Sequence, residues 1–230
     1  MIGVSTACLL QAQTAEREAP VTAPAPGAAP VNDQRILGVI PDFQTVRDTS
    51  QPVAPMSVKD KWHLVWKQTV DPFNLATSAF SAGFSQADNE TPKYGRGGRA
   101  YSERFAAAVA DLGTQTMFSE GVLASLLHQD PRYFRKGASS GIGARTAYSI
   151  SRIVITRRDS GTETFNSSNL FGMMLGIAAS NAYYPSGSRT SGVMFSRIGT
   201  SLFGGLTGNL LSEFWPDLQN RFFRKKHKRD

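Results

Sequence analysis

Cysteine is all but missing from this chain, with Cys8 the one example in 230 residues. If processing removes the first residues, none is left, which excludes disulfides and thiol catalysis. Histidine is nearly as scarce: His63, His128 and His227 lie far apart and lack ligand-like spacing. A zinc site needs convergent His, Cys or carboxylate ligands, commonly at short fixed spacings. The expectation is no metal and no cofactor. Charge is thin as well. Charged residues make up 19% of the chain, against roughly 25% in an average soluble protein. With 40% hydrophobic residues, the chain reads neither as a disordered polyelectrolyte nor as an obvious multi-span membrane protein. Its length suits one domain with a self-sufficient core.

The charge that is present is unevenly placed. The formal net charge is +7. Arg221 to Asp230 holds six basic residues against one acid, and Arg132 to Arg158 holds seven basic residues and no acid. Partners with acidic surfaces are to be sought at those two places.

Val4 to Leu10 is a short apolar run followed by Gln11-Ala12-Gln13, so residues 1–13 read as a signal-like leader cut near Ala12. Met1-Ile2-Gly3 has no Lys or Arg, a departure that a start site placed too far downstream would explain. An apolar N-terminus with no targeting role is the competing reading. Cys8 follows Val4-Ser5-Thr6-Ala7, with Ser5 where a lipoprotein box expects Leu, so lipidation is not favoured. Pro20, Pro24, Pro26 and Pro30 among alanines mark residues 14–34 as a disordered, extended spacer. The expected location is outside the cytoplasm, in the periplasm or cell envelope, with membrane association left open.

Residues 35–56 read as an extended arm, where Pro41 interrupts the apolar segment Arg35 to Val46. From 57 to 220 the pattern is helical, and the expected fold class is all-α: a helical bundle with a close-packed, glycine-rich helix pair. Ser57-Val58-Lys59-Asp60 fits a capping box. Asp71-Pro72 fits a cap with a first-turn proline. One long helix is expected over about 100–129, ended by Asp130-Pro131. Others are expected at about 143–156, 167–184 and 191–214, with a basic piece after Pro216.

The last two of these are the expected pair. Gly172, Gly176 and Ser180 recur every fourth residue, as do Thr200, Gly204 and Gly208. Small residues at that spacing let two backbones approach closely. Thr164 to Ser188 runs 25 residues without a charge, long enough to cross a bilayer, yet its asparagines and serines oppose insertion. A soluble or peripheral bundle and an embedded hairpin both stand.

Chemistry-bearing motifs are few. His128-Gln129-Asp130 sets an imidazole beside a carboxylate, but at a helix end where a histidine is favoured by the dipole alone. Asp130 to Arg135 reads as a turn held by ion pairs and aromatic packing. Tyr94-Gly95-Arg96-Gly97-Gly98-Arg99 lacks the Gly-Lys-Ser/Thr ending of a phosphate loop and reads as a solvated loop. No catalytic residue is assigned. The tail at 221–230 interleaves Phe222 and Phe223 with Arg221, Arg224, Lys225, Lys226, Lys228 and Arg229, a pattern suited to anionic lipid. An anionic membrane surface or an envelope protein is the expected partner, and no nucleic acid; a merely solubilising tail is the plainer alternative.

The stretches LLHQDPRYFRKG, TRRDSG, FNSSN, SNAYYP and EFWPD resemble signatures of a family of exported bacterial proteins with no known activity. That resemblance spans about Arg35 to Phe223 and implies export and a helical body. Arg145 and Arg152, then Ser196-Arg197, are similar in spacing to motifs of the type-2 phosphatidic-acid phosphatase superfamily. That likeness implies a phosphate pocket built by Arg145, Arg152 and Arg197. Phe203 and Thr207 stand where that superfamily has its nucleophilic histidine and the aspartate orienting it, so the relative implied is catalytically dead. Two function classes follow: a non-enzymatic envelope protein acting as a structural or interaction module, or a degenerate phosphatase-like membrane protein that binds phospholipid.

Overall fold

A computed structural model describes residues 34–49, 52–88, 92–185, 187 and 189–223. The leader, the spacer up to residue 33, and Arg224 to Arg229 of the basic tail lie outside them.

The body is largely helical, and the all-α expectation needs correcting: three small sheets accompany the helices among the described residues. Strands β1 (Arg35–Ile36) and β2 (Ile40–Pro41) form an antiparallel hairpin. Strand β3 (Thr45–Val46) runs parallel to β5 (Tyr133–Phe134), which fixes the expected arm onto the body. Strands β4 (Gln129–Asp130), β6 (Ile155–Arg158) and β7 (Glu163–Phe165) form the third sheet, in that order.

The helix starts follow their caps. Helix α1 (Val58–Thr69) opens on the capping box of Ser57 and Asp60, and α2 (Pro72–Ala87) opens on Asp71, whose carboxylate accepts from the Phe73 N–H. Helix α3 (Gly98–Thr116) does not run straight to residue 129. It passes into a π-helical segment, Met117–Leu123, and a last α turn, α4 (Ala124–Leu126). Such wide turns are rare and recur at functional sites. Helix α5 (Ile142–Ser151) stops before the expected 156, because β6 begins at Ile155. Helix α6 (Ser167–Ser180) is 14 residues long, about 21 Å at 1.5 Å per residue, too short for a bilayer core of about 30 Å. Among the described residues no helix is long and apolar enough to cross a membrane.

Helix α7 (Ser191–Phe223) is the largest departure. It continues through Pro216 for 33 residues instead of breaking there. Proline has no N–H for the carbonyl four residues back. One residue beyond that carbonyl, the Glu213 C=O accepts from Arg135 Nε at 2.8 Å and Arg145 Nη2 at 2.6 Å. Guanidinium groups from outside the helix thus bind its backbone beside the proline.

Helix α6 lies against α3 and the π segment. A Cβ added at Gly176 would stand 2.7 Å from Gln115 Cα, and one at Gly172 would be closer still to Ser119 Cα. Tyr183 and Tyr184 then fasten the end of α6 to α3, their hydroxyls donating to the two Asp111 carboxylate oxygens at 2.6 and 2.7 Å. Lys61, 1% exposed, ties α1 to the β6–β7 turn through Asp159 at 2.8 Å and also donates to the Ala124 carbonyl at 3.1 Å.

Candidate functional site: the cavity beneath the last helix

The glycine row of α7 does not meet α6. A Cβ at Gly204 or Gly208 would find nothing within 4 Å, and one at Gly205 would find only Ile153 Cδ1, at 3.6 Å. Helix α7 is held elsewhere. Near its start, Arg197 donates to Ser180 Oγ at 2.8 Å and stacks 3.6 Å from the centre of the Tyr184 ring. Toward its end, the Glu213 carboxylate is fully buried (0% exposed). It accepts from Arg145 Nε at 2.7 Å, the Tyr133 hydroxyl at 2.9 Å, and the Lys136 and Gly137 N–H groups at 2.9 and 3.0 Å. Between these anchors the small residues leave room, and a cavity of about 870 Å³ lies under the helix. That is within the size range of small-molecule sites.

The walls come from β2, β3, β5, β6, α1, α2, α3, the π segment, α6 and α7, with Arg152 and Ile153 just after α5. They mix apolar side chains such as Phe43, Phe73 and Met173 with amides and hydroxyls such as Gln115, Asn169 and Ser201. The π segment supplies Glu120. Its carboxyl accepts from Gln68 Nε2 at 2.5 Å and from the Gln44 amide. Burial pushes this carboxyl up to about 7, outweighing the two amides, which pull the other way. Protein closes round the group, while its partial accessibility comes from the cavity it lines.

The remaining charged groups of the wall are already matched within the chain. Asp42 accepts from Arg47 Nη2 at 2.8 Å and from Thr45. Arg132 is paired with Asp130 at 2.6 Å, and Arg152 with Glu163 at 2.9 Å. For Glu120 the partners are amides.

The three arginines of the phosphate-pocket reading are not brought to one place. Arg145 is bound to Glu213 and Asp217, Arg152 to Glu163 and the Tyr148 ring, and Arg197 to Ser180 and the Tyr184 ring. Of the three, Arg152 lines the cavity. The basic stretch Arg132 to Arg158 is likewise spent largely inside the molecule, since Arg135 joins Arg145 on Asp217 and Arg157 stacks 4.5 Å from the Phe134 ring centre. Burial alone would raise the Asp217 carboxyl, but hydrogen bonds from Arg135 and Arg145 hold it below its ordinary value. Lys136 and Arg158 of the basic stretch are exposed. Of the tail residues, Arg221 is described and exposed; Arg224, Lys225, Lys226, Lys228 and Arg229 lie outside the described residues.

His128 is exposed, has a left-handed backbone at φ +51°, and stands 3.9 Å from Asp159. It does not pair with Asp130, whose carboxylate takes Arg132. Among the described residues no cluster of three His, Cys, Asp or Glu could hold a metal ion. Reading the sequence missed Glu120 and Glu213. Glu213 opens the quoted EFWPD stretch as an acid set between Leu210-Leu211 and Phe214-Trp215, which was a usable signal. Glu120 in MFSEGVL gave a similar one, but its amide partners come from Gln44 and Gln68, far away in sequence. No family model, no curated protein and no solved structure matches the chain.

Proposed function

We propose that this chain is a non-enzymatic protein of the cell envelope that docks peripherally on an anionic membrane surface. The observation that carries the reading is the set of exposed apolar side chains along α7. Phe195 and Phe203, eight residues apart, are 72% and 70% exposed, with Leu211 and Leu218 further along; Phe203 and Leu211 also line the cavity, and the exposed Arg221 lies in the last turn of the helix. Neighbouring α6 also turns Phe171, Met174 and Leu175 outward. Apolar side chains set in the interface beside a run of Lys and Arg are the physical basis of peripheral lipid binding. Export is supported by the leader-like run and by the resemblance to exported proteins. The phosphatase-like alternative draws no support from arginines already matched to separate partners.

Flotation with vesicles of mixed neutral and anionic lipid tests this. The full chain should float with anionic vesicles at low salt and be released as salt rises, because screening shortens to about 8 Å at physiological ionic strength. Removing residues 221–230 should abolish most binding while the body stays folded. If neither form associates at low salt, the membrane reading fails.

A further inference from the structure

The cavity under α7 has a use that surface docking does not account for. It is large enough for a small organic molecule, and its wall is apolar with scattered amides and hydroxyls. Its charged groups are internally neutralised except at Glu120. Asp42 from the N-terminal segment has Arg47, Arg132 beside β5 has Asp130, and Arg152 after α5 has Glu163. Tyr133 of β5 donates its hydroxyl to Glu213. Helices α2, α3, α6 and α7 contribute no ionisable side chain to the wall, and α1 contributes Gln68. Lys67, also on α1, sits 4.1 Å over the Phe43 ring.

We propose that the cavity binds a small molecule bearing a primary ammonium group and an apolar body, with Glu120 as the counter-ion. A buried carboxylate is costly unless it is paired with a cation and hydrogen-bonded. Gln44 and Gln68 supply hydrogen bonds but no charge. An ammonium supplies that charge, and its remaining N–H groups meet the acceptor oxygens of the wall. The apolar body lies against apolar lining residues, among them Phe43, Phe73, Leu112 and Ile153. A neutral alcohol of equal length could make the same apolar contacts without the ion pair. A free alkylamine and an aminated lipid headgroup share this chemistry.

The test uses the full chain with n-hexylamine, hexan-1-ol and, as a separate arm, vesicles containing phosphatidylethanolamine. Calorimetric titration at pH 8 should show hexylamine binding at least tenfold tighter than hexanol. An alkylammonium keeps its charge throughout, whereas the Glu120 carboxyl takes up its proton on acidification, so affinity should fall roughly 30-fold at pH 5.5. Glu120→Gln should lose tenfold or more in hexylamine affinity and leave hexanol unchanged. Gly205→Leu, which narrows the cavity beside Ile153 and keeps the carboxyl, should weaken binding of both ligands alike. Competition by phosphatidylethanolamine vesicles against hexylamine would identify the lipid headgroup as a source; its absence leaves the free amine. Equal affinity for amine and alcohol, unchanged amine binding in Glu120→Gln, or no amine binding at pH 8 overturns the proposal. None of these readouts depends on the basic tail, so the membrane reading can fail while this one stands.

Discussion

Two helices carry the same spacing of small residues and use it in opposite ways. On α6, Gly172 and Gly176 are buried where the backbone of α3 and its π segment presses in, and no side chain fits. On α7, Gly204 and Gly208 face open space, and the helix is tied down at Arg197 and Glu213 instead. A four-residue repeat of glycine thus specifies only that a side chain is absent. Whether another backbone or a void takes the place is decided by which helix the anchors bring alongside.

The sharpest way to break this contrast is to put leucine into each row. Gly172→Leu or Gly176→Leu should cost more than 3 kcal/mol or prevent folding, beyond the roughly 1–3 kcal/mol of ordinary overpacking, because the obstacle is backbone. Gly204→Leu should leave the urea midpoint nearly unchanged. Equal losses at both sites would mean that α7 packs as tightly as α6.

The anchor comes next in size. Glu213→Ala leaves Arg145 and two backbone N–H groups without their buried acceptor. Breaking a buried ion pair from one side costs about 3–5 kcal/mol. Denaturant unfolding should show a loss of that order, and a loss below about 1 kcal/mol would show that the span hangs on something else.

Glu120 should make stability fall with rising pH. Its carboxyl is held at about 7 in the folded chain, above an unfolded value of about 4.3. The folded state therefore binds the extra proton between those limits, and the contribution present below pH 4.3 is lost as pH rises through 7. With partial access to the cavity, the loss is on the order of 2 kcal/mol. Asp217, held low, contributes with the opposite sign at more acidic pH, so the difference between wild type and Glu120→Gln isolates the effect. Parallel stability curves from pH 4.5 to 7.5 would remove Glu120 from the argument.

The smallest effect has the reverse sign. Gly204→Ala and Gly208→Ala sit in a helix interior with space around them, so each should stabilise by about 0.8–1 kcal/mol, seen as a raised melting temperature. Gly176→Ala should destabilise.

Local signals read well from sequence. The Ser57–Asp60 box and the Asp71-Pro72 cap act within a few residues, and both helices begin where those residues require. The Asp130 turn was legible for the same reason, since Arg132 reaches back two residues to it. The β6–β7 hairpin was not. Its strands are too short to show alternation, although Asp159-Ser160-Gly161, with Gly161 at φ +87°, was a turn signal that would have revealed it. The partner of the α6 glycine row and the partners of Glu120 and Glu213 lie beyond the reach of spacing. They depend on which distant segments meet, and nothing within one helix encodes that.

The long terminal helix behaves mechanically as a beam clamped at Arg197 and Glu213, with lighter ties from Ser201 to Gln115 and from Asn209 to the Ser149 carbonyl between them. A hinged lid swings about one loop, but this element is held at several points along its length. Bowing of its span would widen the space beneath it. Glycine is the softest material a helix offers for that, since it holds the helical geometry less firmly than any other residue but proline. Stiffening Gly204 and Gly208 with alanine therefore acts on time as well as energy: molecules should enter and leave the space below more slowly, while the equilibrium they reach changes little.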